Sequence, residues 1–246
     1  MELENQELEG TDKEAYLFSK QAYKKADERE NVGDYVYDRD LSNVDTAVYH
    51  NANTNQTHVS NRGSTSAYDW GVSDTQIALG LEGYGSRFNR AVDTTKQAHD
   101  KYDGKVRTSG HSLGGQVSNY TAQQLADNEW YEGSTGLNAG VSTLGKGNYF
   151  SSTRSACRGK NPPAYCSKTT NLYEAGDPVS NRNTACDLMT FGLGGKMCRK
   201  SVGYGTENFY NHSKQPSLLS RFAMIGSPSI RTAHNLTQHS LDNFVK

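Results

Sequence analysis

Ser112 stands between two glycines in Gly110-His111-Ser112-Leu113-Gly114, a G-x-S-x-G pattern suited to nucleophilic chemistry on an acyl group. A lone serine hydroxyl is a weak nucleophile at neutral pH. Such chemistry therefore needs a turn that presents Oγ, a histidine base, and oriented donors for the oxyanion. Glycines two before and two after the serine let a strand, a tight turn and a helix pass close together, where a β-carbon would clash. In a chain with 24 glycines the pattern alone is weak, and its flanks add the weight. Residues 105–109 read as a short strand, and Leu113, Val117, Tyr120, Thr121 and Leu125 fall on one helical face after the serine. The order strand, elbow, helix makes Ser112 the expected nucleophile.

Residues 105–126, KVRTSGHSLGGQVSNYTAQQLA, resemble the nucleophile region of the class 3 lipases, the fungal triacylglycerol lipase-like branch of the α/β-hydrolases. Upstream, Val59-Ser60-Asn61-Arg62-Gly63-Ser64, followed by Asp69-Trp70 and Asp74, is similar to that family's oxyanion strand, where an RG(S/T) turn leads to a DW pair. The resemblance extends over about residues 45–246. It implies an α/β-hydrolase fold, a mainly parallel sheet flanked by helices. It also implies an oxyanion hole at Ser64, through its amide and hydroxyl, and at the amide of Leu113. Read from the residues alone, Ser64 is equally an ordinary turn residue after a glycine. A strand read over residues 57–61, ending at this turn, favours the oxyanion role.

The acid is expected after a later strand. The run Asn171-Leu172-Tyr173-Glu174-Ala175-Gly176-Asp177-Pro178-Val179-Ser180 resembles the family's DxVP segment, with Ser180 in place of the usual proline, and marks Asp177. An aspartate before proline also starts turns, and Asp187 stands in reserve. The order Ser, Asp, His that goes with this fold leaves His212, His234 and His239 as bases. His239 opens HSLDNF, which resembles a C-terminal histidine motif of some lipase-like proteins, and is the first choice. His111 adjoins the serine but cannot normally fold its ring back onto Oγ, so it reads as a packed or partly exposed elbow residue.

These assignments describe hydrolysis of lipid or phospholipid acyl esters through an acyl-enzyme, with contact to a lipid surface as the partner. No cofactor and no metal are expected. The near alternative is a non-lipid carboxylesterase, then a silent lipase-fold binding or structural module, then a peptidase. Residues 67–88 hold Trp70, Ile77, Leu79, Leu81, Tyr84 and Phe88 among polar residues, which suits a moderately apolar lid or an ordinary surface helix equally.

Other chemistry is weakly signalled. The glycines at 192, 194 and 195 precede Lys196, but Thr190 stands where the first glycine of a phosphate loop belongs and Met197 where Ser or Thr should follow. There is no HExxH and no CxxC, so a zinc site is not expected. Basic residues are scattered and the formal net charge is −1, which gives no footprint for nucleic acid. No apolar run approaches the ~20 residues of a transmembrane helix. The N-terminus is acidic without an apolar centre, so no signal peptide is expected and the place of work stays open.

Cys157, Cys166, Cys186 and Cys198 permit pairing of the first two and the last two, but four cysteines allow three connectivities and a reducing compartment would keep them as thiols. Asn55, Asn119, Asn211 and Asn235 begin sequons that an asparagine-rich chain produces readily.

The elements that must position this chemistry alternate between strand and helix signals, as in a single α/β-hydrolase domain over residues 1–246, with 1–45 the least defined part. A helix is expected within residues 12–30, with Ala15, Phe18, Ala22 and Ala26 on one face. Strands are expected near 34–37, 46–49, 57–61, 105–109, 137–143 and 169–175, and a helix over 87–102. The hydrophobic fraction is 34% and the mean hydropathy −0.81, which suggests a small core under polar loops. Lys105-Val106-Arg107-Thr108-Ser109 is polar for a central parallel strand, so the sheet is expected to be short or wet there.

Overall fold

The computed structural model describes residues 8–64, 86–139, 156–157, 159–174 and, as backbone, 206–210. Among the described residues, seven strands lie in one sheet in chain order: β1 (Val36–Asp38), β2 (Thr46–Asn51), β3 (Gln56–Asn61), β4 (Lys105–His111), β5 (Tyr131–Leu137), β6 (Thr169–Glu174) and β7 (Thr206–Tyr210). The first two pairings are antiparallel, and from β3 onward every pairing is parallel. Parallel neighbours need crossovers. Helices α2 (Ser86–Tyr102) and α3 (Leu113–Leu125) lie on those from β3 to β4 and from β4 to β5.

Helix α1 (Gly10–Ala22) covers one face of the sheet, and α2 and α3 lie side by side on the other. Alternation along β2 follows from the pleat. Ala47 and Tyr49 pack with Phe18 and Ala22 of α1, while Val48 between them packs with Val59, Ala98 and Val106.

Several boundaries differ from the sequence reading. The first helix stops at Ala22, and Ala26 is exposed. Beyond it the chain wraps around Arg29, whose buried guanidinium donates to the carbonyls of Ala22, Asn43 and Thr46, so those carbonyls hold a loop where composition suggested helix. Where a strand was expected over 137–143, one runs over Tyr131–Leu137 and Asn138 ends it with a left-handed φ of 43°; residues 140–143 lie outside the described residues. The polar run Tyr-Glu-Gly-Ser-Thr-Gly hid most of that strand, and β7 was not anticipated.

The largest correction concerns the interior. Strand β4 is seven residues long; Lys105 is exposed and Arg107 half-buried, but Thr108 and Ser109 are dry and paired. Thr108 Oγ1 lies 2.7 Å from Tyr131 Oη, and Ser109 Oγ lies 2.7 Å from His58 Nε2 and donates to Ser60 Oγ at 3.2 Å. The His58 ring stacks on Phe18 with centroids 3.9 Å apart. On the helix α3 side, Asn119 Nδ2 donates to Asn171 Oδ1 at 2.8 Å, and Ser134 Oγ donates to Asn119 Oδ1 at 3.3 Å. Leaving one such group unpaired would cost about 1–3 kcal/mol. The low hydrophobic fraction thus reflects a core partly built of matched polar pairs. It also places the Asn119 sequon inside the protein.

Cys157 and Cys166 form a disulfide, Cα atoms 5.4 Å apart, next to the short 3-10 turn Ala164–Cys166 that leads into β6. Cys186 and Cys198 lie outside the described residues, as do residues 65–85, which include most of the candidate lid. Phe88, from the end of that segment, is buried in α2 against Tyr120. No helix among the described residues is long and apolar enough to cross a membrane.

Candidate active site

Ser112 is the hinge between β4 and α3, with φ 57° and ψ −125°. A non-glycine residue held there costs about 1–3 kcal/mol, and the surroundings must enforce it. The Ser112 amide donates to the Leu137 carbonyl at 2.9 Å, while its own carbonyl accepts the Gly115 and Gln116 amides at 3.0 and 3.3 Å. The serine is therefore fastened on both sides of its strained bond pair. It is 7% exposed.

The neighbouring glycines are there because backbone passes against backbone. A β-carbon on Gly110 would stand 2.3 Å from the Gly114 carbonyl group, and one on Gly115 would stand 2.8 Å from the Ala139 β-carbon. The five apolar-face residues expected along α3, from Leu113 to Leu125, are all buried as the spacing required.

The Arg62-Gly63-Ser64 turn follows β3 and leans on the elbow. A β-carbon on Gly63 would lie 2.9 Å from the His111 carbonyl and would overlap the Tyr23 hydroxyl. Ser64, half-buried, is the next residue. Leu113 is the first residue of α3, where backbone amides have no carbonyl one turn back and the helix dipole favours negative charge. The structure thus brings the Ser64 turn, Ser112 and Leu113 together at the C-terminal ends of adjacent parallel strands.

His111 is a packed elbow residue: buried, its Nδ1 lies 2.8 Å from Tyr23 Oη, just past the end of α1. Asp177 and His239 lie outside the described residues, as do Asp187, His212 and His234. Strand β6 ends at Glu174, three positions before Asp177.

The sequence reading missed the residues that hold these parts in place. Asn61 Nδ2 donates to Ser118 Oγ at 3.0 Å, joining β3 to α3, and Asn61 Oδ1 accepts from Thr46 Oγ1 at 3.0 Å. Arg62 pairs with Asp45 at 3.0 Å. These partners are 57, 15 and 17 positions apart, so no local pattern announces them.

No protein-family model and no curated protein sequence matches the chain. Solved structures do. The chain is similar to a triacylglycerol lipase from Penicillium expansum, at 18% identity and a TM-score of 0.50, over 82% of this chain and 79% of that one. It is similar to a triacylglycerol lipase whose catalytic centre is a serine protease triad, at 15% identity and a TM-score of 0.50, over 83% of this chain and 82% of that one. At such identities the likeness speaks for the path of the backbone. The chain thus has the α/β-hydrolase fold that these triacylglycerol lipases show.

Proposed function

We propose that the protein is a serine hydrolase that cleaves carboxylic ester bonds of lipids or phospholipids, with Ser112 as nucleophile, His239 as base and Asp177 as the acid that orients it. The observation that carries this reading is the backbone of Ser112, held at φ 57° in a turn whose flanking glycines leave no room for a β-carbon. Strain of that kind persists where a side chain must be presented at one point, which is what a nucleophile requires. The fold's likeness to triacylglycerol lipases supports lipid esters as the substrate class.

In the proposed reaction Ser112 Oγ bonds to the ester carbonyl carbon as His239 takes its proton, and Asp177 stabilises the charged imidazole. The carbonyl oxygen becomes an oxyanion between Ser64 and the Leu113 amide. Collapse expels the alcohol, which takes the proton from His239, and leaves an acyl-serine. Water, losing a proton to the same histidine, attacks the acyl carbon; Ser112 Oγ leaves, regains that proton, and the acid is released. The atoms balance with water as the only co-reactant. Substrate would be taken from a lipid surface.

Hydrolysis of p-nitrophenyl esters from acetate to palmitate tests this, with Ser112→Ala in parallel. The expected result is activity that favours longer chains and vanishes in the variant. A short-chain preference would replace lipase with carboxylesterase, and inactivity of the unaltered protein, with phospholipid also supplied, would overturn the reading in favour of a silent module.

A further inference from the structure

We propose that Asp45 is the positioning residue of the oxyanion turn, clamping Arg62 and thereby fixing Gly63 and Ser64 against the elbow. This rests on the hydrolase reading above. Asp45 lies in the loop before β2, where Asn43 Oδ1 accepts both the Asp45 and Thr46 amides, at 2.9 and 3.1 Å. From this fixed base it holds Arg62 twice. The Asp45 carbonyl accepts the Arg62 amide at 2.8 Å, and its Oδ1 accepts Arg62 Nη2 at 3.0 Å. The Arg62 carbonyl in turn accepts Arg87 Nη2, and Arg87 itself lies 3.8 Å from Asp45 Oδ1. Arg90, on the same helix, reaches Asp45 Oδ2 at 3.1 Å. Amide, carbonyl and side chain of Arg62 are all tied to Asp45 or to its partners.

Charge explains why the arrangement depends on Asp45. Three guanidinium groups, those of Arg62, Arg87 and Arg90, meet at the Asp45 carboxylate, at 3.0, 3.8 and 3.1 Å. The Arg62 and Arg87 side chains are only 15% and 10% exposed, so solvent and salt screen their repulsion poorly. Removing the Asp45 charge withdraws the counter-charge that these three groups share beside the turn. An exposed ion pair contributes little. This one is mostly enclosed and sits two residues from Ser64. Oxyanion donors must be held to within about 0.5 Å, and a shift of about 1 Å can cost about a hundredfold in rate.

The test is Asp45→Asn, which keeps the shape and removes the charge. Steady-state ester hydrolysis should show kcat lower by about 10- to 100-fold with KM changed less than about threefold, because the loss falls on transition-state charge. The rate at which a fluorophosphonate labels Ser112 should fall in step. In that reaction Oγ bonds to phosphorus, fluoride leaves, and the phosphoryl oxygen occupies the same hole. Glu132→Gln, which removes the Arg107 to Glu132 pair at 3.7 Å across β4 and β5, should leave kcat unchanged. A merely structural role would lower thermal stability in both variants without separating kcat from KM.

Normal kcat and normal labelling of a folded Asp45→Asn would overturn the positioning role alone. Failure of the unaltered protein to label would remove the hydrolase reading and this role with it. If Asp45→Asn does not unfold cooperatively, Arg62→Lys replaces it, since lysine keeps the charge but not the fork. The same split between kcat and KM is expected, and an unchanged kcat there overturns the proposal.

Discussion

The carbonyl oxygen of Asn61 lies so close to the α-carbon of Gly114 that a β-carbon there would stand 2.0 Å away. The last residue of β3 thus touches the first turn of α3, and this approach brings the Arg62-Gly63-Ser64 turn beside Ser112. Gly114→Ala should force the two backbones apart and destabilise by about 1–3 kcal/mol or more, since neither can yield as a side chain would. Thermal unfolding would show it, and Ser112 labelling should fall even in the folded fraction. An unchanged melting temperature would contradict the approach.

Among the three C-terminal histidines, His239→Ala should lower kcat by about 10⁴ or more, the scale on which a triad fails when its base is lost. His234→Ala and His212→Ala should retain most activity. Parallel kcat measurements decide it, and loss in His234→Ala alone would transfer the base to that residue.

His58 makes stability depend on pH. Burial holds its imidazole well below its usual range, with the nearby Arg107 charge adding to the effect. The unfolded chain therefore binds a proton that the folded one refuses. His58's contribution is complete above about pH 6.5 and falls as pH drops from there toward the folded value. Urea unfolding between pH 7.5 and 5 should show this decline, and His58→Gln should flatten it. A pH slope equal in both proteins would assign the effect to other groups.

The disulfide between Cys157 and Cys166 closes a short loop, nine positions apart, ahead of β6. A loop of about ten residues corresponds to about 2–3 kcal/mol of restricted unfolded-state freedom. Cys157→Ser with Cys166→Ser should lower the denaturant midpoint without changing its slope, whereas an unchanged midpoint would mean the loop contributes nothing to global stability.

Local pattern carried the elbow. Gly110, Ser112 and Gly114, with apolar residues at helical spacing from Leu113 to Leu125, were legible because a turn and an amphipathic helix are written in neighbouring residues. The helix over 87–102 and the strand ending at Asn61 were legible for the same reason, to within a residue or so. Strand β5 was mostly missed because its residues are polar, and a strand whose polar groups are paired inside the protein looks like a loop to any reading of hydrophobicity.

The sequence by itself determined the order of strand, elbow and helix around Ser112 and the turn after β3. The tertiary structure decided how those parts are held. His58 against Ser109, Asn61 against Ser118, and Arg62 against Asp45 join residues 17 to 57 positions apart. Such pairings depend on strand register and helix placement across the whole sheet, because a buried polar group is stable only beside the partner that the folded chain delivers.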